Sequence, residues 1–465
     1  MMDHEKVFIA ATERAGRGLF AKQPFSEGET ILLEAPLVAL QSLENLRNVM
    51  VCANCFGFIG SLDSQLAILR GLPRNEVLEI HSLASEENVF APIVDCLQQC
   101  GEVYCSEACR DLHFRRCHRM LCTGPIPDEI AHEHPLIKFK MHAVETNEIF
   151  LLVAAVLCHI ITRYEETGGT DLDYAREPYK DFVQNCWWDV AGGGELGETL
   201  RTLVEESCSF LKEALFLNGG FEGLDDILNP EYFSRVIGMF EQNNVGIQSQ
   251  SPVAETLNKL VGTEYMEYIR PVLEEAVYNG ESESDADEAE DNSWSSANTD
   301  GEQKDEEKEG NEDPLLAAEN CPKPRAWDNF QQLQPCCVKV EGAEPYVDIE
   351  PEDIEPVSAL DLIEDIRAVS VLDGTSLYTL ICSMNHSCDP NCMIRYRSEK
   401  GQPLRAEAVA LKNIEAGKEI RFSYIEKDET LENRQNQLRD YGFICDCSKC
   451  NIEISIEKLR SYIII

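Results

Sequence analysis

Apolar residues fall along this chain in two rhythms, and the changes between them mark out its parts. In the first forty residues, short apolar runs (Val7-Phe8-Ile9, Leu19-Phe20, Ile31-Leu32-Leu33) are separated by Gly16-Arg17-Gly18 and Ser26-Glu27-Gly28-Glu29. Apolar runs bounded by turn formers predict several short strands. Across residues 135–240 the spacing lengthens. Leu200, Leu203, Val204, Cys208, Leu211 and Leu215 recur at three- and four-residue steps, which places them on one helix face. Asn229 suits a helix cap and Pro230 a first helical position, and Phe233, Val236, Ile237 and Phe240 then form an apolar stripe. Strand-like segments return at 406–411 and 419–425, joined by Ile414-Glu415-Ala416-Gly417-Lys418, where glycine accepts positive φ.

The rhythm breaks in two places. Residues 52–122 are rich in cysteine, with a plain stretch at 56–95 that is expected to be a loop or a helical insertion. Between Glu281 and Asp313 there are fifteen acids against Lys304 and Lys308, amid Ser, Gly and Asn. Such a run cannot bury enough apolar surface to offset chain entropy, so residues 248–356 are read as an acidic, largely disordered insertion.

Composition sharpens the picture. A chain of 465 residues with 43% hydrophobic content can build two or three units with real cores. The net charge of -44 argues against binding nucleic acid through a basic surface and fits a basic protein partner. The longest apolar run, residues 149–161, carries His159 and is too short to span a bilayer, and the first residues lack a basic-then-apolar signal. A soluble, intracellular protein with no membrane association is expected.

In a reducing compartment, twenty cysteines point to metal ligation rather than disulfides. Cys52-x2-Cys55, Cys96-x3-Cys100, Cys105-x3-Cys109 and His118-x3-Cys122 supply eight ligands, enough for two tetrahedral zinc ions. Interleaving gives one site from Cys52, Cys55, Cys105 and Cys109 and another from Cys96, Cys100, His118 and Cys122. Cys117 competes with His118. Cys445-x-Cys447-x2-Cys450 has three thiols and needs a fourth ligand, for which Cys388 in Asn385-His386-Ser387-Cys388-Asp389-Pro390-Asn391 is the candidate.

Read in order, Gly16-Arg17-Gly18-Leu19-Phe20, the Asn385 to Asn391 run, Glu419-Ile420-Arg421-Phe422-Ser423-Tyr424-Ile425 and Tyr441-Gly442-Phe443-Ile444-Cys445 resemble the SET-and-MYND (SMYD) family of lysine methyltransferases. The resemblance implies an α+β fold: a SET domain of short sheets with a pseudoknot, an inserted MYND zinc finger, a helical SET insert and a post-SET zinc site. It divides the chain into an N-terminal SET part (1–50), the MYND finger (51–123), the helical insert (124–247), the acidic insertion (248–356), the SET core (357–427), the post-SET region (428–453) and a tail (454–465). The few residues after Cys450 resemble the short branch of the family and the similar plant trithorax-related SET proteins, which lack a closing helical-repeat domain.

The resemblance further implies S-adenosylmethionine as methyl donor and about three Zn2+. Gly16, Arg17 and Gly18 would approach the methionine part of the donor, Asn385 and His386 would hydrogen-bond it, and Phe443 would stack on its adenine. Asn244 resembles a further donor-contacting asparagine, although Asn243 is adjacent. Tyr424 would set its hydroxyl near the reacting amine and methyl, and Tyr441 would wall an aromatic channel. A histone H3 tail is the implied substrate, with transcription-factor or co-regulator peptides bound by the finger and a nuclear, partly cytoplasmic, location. The competing reading is a zinc-dependent adaptor with a weak SET portion, or a methyltransferase of non-histone proteins. Three departures stand out: the longer Cys96-x3-Cys100, the one-residue shift at His118, and the forty residues between Cys55 and Cys96.

Overall fold

A computed structural model describes residues 5–12, 16–84, 86–126, 131–191, 194–216, 223–287, 358–397 and 400–463. Strands β1 (Val7–Ala11), β2 (Arg17–Ala21), β3 (Thr30–Glu34) and β4 (Val38–Gln41) come first. The finger region follows with β5 (Gly60–Ser61), helices α1 (Leu62–Leu69) and α2 (Arg74–Leu83), strands β6 (Val89–Ala91), β7 (Val94–Asp95) and β8 (Val103–Tyr104), and α3 (Glu107–His113). The main helices then run α4 (Pro135–Thr146), α5 (Ile149–Glu166), α6 (Glu195–Phe216) and α7 (Pro230–Asn243). Beyond them lie β9 (Val245–Gln250), α8 (Pro252–Leu260), α9 (Glu264–Asp287), α10 (Ala359–Val369) and β10 (Val371–Leu377). The chain closes with β11 (Asn385–His386), β12 (Cys392–Arg397), β13 (Arg405–Ala410), β14 (Glu419–Phe422), α11 (Leu431–Asp440) and α12 (Ser448–Ile463).

Each of the three larger sheets joins strands from both ends of the sequence. Their orders are β1-β2-β14-β11, β4-β10-β9 and β12-β13-β3, with β11 parallel to β14. The finger and the helices are therefore insertions into one sheet-built domain, whose core includes Leu19, Ile31, Tyr378, Ile381, Met384, Ala408 and Ile420. Gly417 takes φ 81° in the tight connection before β14, as its turn position requires.

The helical stretch matches its sequence pattern. Asn229 caps α7 by accepting from Tyr232 N, and Phe233, Val236, Ile237 and Phe240 are buried. Leu200, Val204, Cys208, Leu211 and Leu215 of α6 face the same core as α5. No helix among the described residues is long and apolar enough to cross a membrane.

The start of the insertion is corrected. Regular structure continues past residue 248: β9 pairs with β10 to Gln250, and α8 and α9 carry regular helix to Asp287. Met266, Ile269, Leu273 and Ala276 recur at three- and four-residue steps, so one face of α9 is buried while Glu264, Glu267, Glu274 and Glu275 are exposed. The rest of the acidic run, from Glu288 onward, lies outside the described residues. Helix α12 runs from the post-SET region through the tail to Ile463.

The plain stretch at 56–95 supplies α1 and α2. Ser61 and Ser64 form a reciprocal capping box that starts α1. Leu62, Leu66 and Leu69 of α1 then pack with Val253 and Leu257 of α8, Leu273 of α9, and Leu362, Ile363 and Ile366 of α10. Arg70 pairs with Glu275 at 2.7 Å, and the Tyr265 hydroxyl donates to Asp63. An insertion in the finger and another in the sheet domain thus share one apolar core.

Candidate active site and thiol clusters

Three groups of four ligand atoms assemble, each with all atoms within 4.8 Å of one another: Cys52, Cys55, Cys105 and Cys109; Cys96, Cys100, His118 and Cys122; and Cys388, Cys445, Cys447 and Cys450. Neighbouring sulfurs lie 3.7 Å apart for Cys55–Cys105, 3.4 Å for Cys105–Cys109 and 3.5 Å for Cys450–Cys388. A zinc tetrahedron with Zn–S near 2.3 Å has edges of about 3.8 Å, so these donor sets fit zinc.

The departures in spacing have local explanations. The residue added between Cys96 and Cys100 is absorbed where Gln99 takes φ 54°, followed by Gly101 at φ 96°. The shift at His118 is absorbed by a π-helical turn over Phe114–His118, which widens the helix by a residue. His118 Nε2 therefore reaches Cys96 and Cys100 at 3.4 and 3.3 Å. Cys117 points instead into the helical core, where burial pushes its thiol up to about 12. His113 stacks on His118 at 5.1 Å and is held by Tyr104 at 3.0 Å.

The third cluster abuts the predicted active residues. Asn385 Nδ2 donates to the Arg17 carbonyl at 3.0 Å and to Glu419 Oε1 at 2.7 Å, joining β11, β2 and β14. Gly18 faces the same pair. A Cβ there would lie 2.6 Å from Glu419 Oε1 and 3.0 Å from Asn385 Nδ2, so any larger residue would push the Glu419 carboxylate out of its bond with Asn385. Asn391 fixes β14 by donating to the Glu419 carbonyl and accepting from Arg421 N, each at 2.8 Å.

Tyr424 lies just beyond β14. Its hydroxyl donates to the Met384 carbonyl at 2.5 Å, and its ring lies 5.3 Å from those of His386 and Tyr441 and 5.0 Å from Phe422. Burial raises the Tyr424 hydroxyl well above the ordinary phenol range, so it keeps its proton at neutral pH. His386 receives the Tyr424 backbone N–H on Nδ1 at 3.0 Å, and its Nε2 lies 3.2 Å from Cys388 Sγ. Burial, with Arg434 and Arg421 nearby, pulls the imidazole down to about 4, which leaves it neutral. Phe443 packs on His386 at 5.9 Å.

Two hollows flank these residues. A cleft of about 860 Å³ is lined by Tyr424, Tyr441, Met384, Asn244 and amides of β9, and among the described residues its charged lining is Asp373, Arg395 and Lys427. A cavity of about 370 Å³ lies against Gly16 and Arg17, with Asp181 and Phe182 opposite. Arg17 is 4.0 Å from Asp181 and sits over the Phe182 ring. Asn243 is committed to the backbone, donating to Val183 and Met239 carbonyls, whereas Asn244 is exposed at the end of α7.

Sequence reasoning missed Glu419 and Arg434. Arg434 is 1% exposed, lies 3.8 Å from Cys450 Sγ and pairs with Glu453. Its signal was a cation between Leu431 and Leu438 on the apolar stripe of α11. Held by Glu453 on one side, this buried cation would partly offset the negative charge of the four sulfurs when they bind metal.

Comparison with known proteins agrees with this architecture. The SET domain family matches residues 234–425. The chain is 24% identical over 508 residues to histone-lysine N-methyltransferase ATXR2 of Arabidopsis thaliana, covering 94% of this chain and 88% of that protein. It is 24% identical over 452 residues to protein-lysine N-trimethyltransferase SMYD5 of Danio rerio, covering 94% and 84%. Over a shorter span of 81 residues it is 43% identical to histone-lysine N-methyltransferase SMYD3 of Homo sapiens, covering 17% of this chain and 18% of that protein. The SET match, the relatives and the three thiol clusters together support a SET-and-MYND-type protein-lysine methyltransferase.

Proposed function

We propose that the chain methylates a lysine of the histone H3 tail, with S-adenosylmethionine as donor and with zinc at all three thiol clusters. The carrying observation is the meeting of Tyr424 and Tyr441 at 5.3 Å in the wall of the large cleft, an aromatic surface suited to a lysine stem. The donor supplies an electrophilic methyl on a sulfonium; a neutral amine would attack that carbon in line as the C–S bond breaks, a neutral thioether would leave and the new ammonium would shed its proton to solvent, so positioning is most of the catalysis.

The chain's residues divide that work. Arg17 and Asp181 offer a cation and an anion to the donor's carboxylate and ammonium beside Gly16 and Gly18. Phe443 offers a stacking face for adenine. Asn385 offers its amide oxygen and Asn244 its whole amide, while His386, with both ring nitrogens engaged, contributes through its backbone. The aromatic wall desolvates the substrate amine and lowers its pKa, favouring the reactive neutral form. Tyr424, protonated and tied to Met384, orients the amine rather than removing its proton.

A histone substrate is supported by the acidic balance of the chain and by its similarity to ATXR2, named a histone-lysine N-methyltransferase. The cleft favours a second reading, a non-histone protein, because Asp373 there is outnumbered by Arg395 and Lys427. Nuclear residence and a co-regulator peptide on the finger accompany the first reading. The test is mass spectrometry of a histone mixture incubated with isotope-labelled donor. Label on an H3 lysine is expected. Label confined to non-histone peptides would overturn the H3 assignment, and no uptake of donor by calorimetry would overturn the enzymatic reading.

A further inference from the structure

We propose that the His386 ring is a positioning element that couples the third thiol cluster to the backbone of Tyr424. The inference rests on the reading of Tyr424 as the residue over the substrate amine. A backbone N–H can only donate, so the 3.0 Å contact from Tyr424 N makes Nδ1 an acceptor without a proton. The neutral ring then carries its proton on Nε2, aimed at Cys388 Sγ 3.2 Å away. One tautomer satisfies both contacts; the other would leave a buried amide facing an N–H.

Packing fixes the ring in that plane. His386 is 6% exposed and lies between Tyr424 at 5.3 Å and Phe443 at 5.9 Å. Turning it over would place carbon atoms where both nitrogens sit and would lose both hydrogen bonds at once. A metal-bound sulfur is an anionic acceptor, which strengthens the Nε2–H contact relative to a thiol. Loading the cluster with metal therefore tightens the imidazole, and the imidazole holds the main chain from which the Tyr424 ring projects. The cluster acts on catalysis through this path as well as by anchoring the loop that bears Phe443.

Substitutions separate the two bonds. His386→Asn puts an amide oxygen near the Nδ1 position but cannot reach Cys388. His386→Gln extends an amide nitrogen toward the Nε2 position but offers no acceptor to Tyr424. His386→Phe removes both. Zinc release to a competing chelator should be roughly 10–100-fold easier in the Asn and Phe variants, as for lost partners of metal ligands, and near wild type in Gln. With a peptide substrate, kcat should fall roughly 10-fold in Gln and Phe with KM unchanged, and should fall by less in Asn, which keeps an acceptor for the Tyr424 amide but loses the link to Cys388.

A merely structural histidine would instead lower all readouts together in every variant, and that result would overturn the coupling. If the wild type methylates no lysine substrate, the enzymatic reading fails while the metal-release pattern still decides the Nε2–Cys388 half. Should the variants not fold, 15N-histidine spectra of the zinc-loaded wild type decide the matter. A protonated Nε2 with a bare Nδ1 on His386 is expected, and the opposite tautomer would overturn the proposal.

Discussion

Replacing Tyr424 by Phe removes one oxygen from the densest part of the site. That oxygen donates at 2.5 Å to the carbonyl of Met384, a residue 1% exposed, so the variant leaves a buried acceptor unmatched. The stability cost is about 1–3 kcal/mol. Little is added to it, because the ring keeps its contacts with His386, Phe422 and Tyr441. If the hydroxyl also orients the amine, methyl transfer should slow by about 10²–10³, the usual loss when one preorganised donor is removed from an active site. Single-turnover transfer from labelled donor measures the rate, and calorimetry measures donor affinity, expected to change little. Burial keeps the wild-type hydroxyl protonated through the neutral range. The wild-type rate should therefore rise with pH as the substrate lysine loses its proton, with no limb belonging to Tyr424. An unchanged single-turnover rate in the Phe variant, or a donor affinity that falls as far as the rate, would refute the orienting role.

Three further outcomes are expected. Cys447→Ala should lower the zinc count by one and weaken donor binding through the loop bearing Phe443; an unchanged metal content would remove Cys447 from the ligand set. Glu407 is fully buried between Arg395, Arg397 and Thr30; burial alone raises it, but hydrogen bonds from Arg397, Arg395 and Thr30 bring it down to about 2. Its stabilisation is present above the ordinary carboxylate pKa and is lost as pH falls toward 2, so the urea midpoints of wild type and Glu407→Gln should converge on acidification; a constant gap would contradict this. Deleting residues 288–313 should leave the melting temperature unchanged by calorimetry, and a large fall would assign that stretch a structural role.

Much of the architecture was legible because its signals are local. The cap at Asn229, the stripe of α7 and the paired cysteines each sit within a few residues, and the folded chain uses them as the spacing implies. The start of the acidic insertion was misread because composition outweighed periodicity. The acids of α9 hide an apolar face that makes sense only once α1 is known to pack against it, and α1 lies some two hundred residues away in sequence. The ring contacts of His386 were illegible for a related reason: Cys388 is only two residues on, but Tyr424 reaches the ring from a separate segment after β14, and no spacing announces that meeting. Cys117 and His118 could not be told apart from sequence because a π-turn, not composition, decides which faces the ligands.

The core shared by α1, α8, α9 and α10 constrains how the molecule can be cut or recombined. Excising α1 and α2 to obtain a minimal finger would strip cover from Leu257, Leu273 and Ile366 and bare a greasy patch on the remainder. Trimming α8 to α10 would do the same to Leu62, Leu66 and Leu69. Neither half is a removable cassette: each can be excised only together with its counterpart or with changes that make the orphaned face polar.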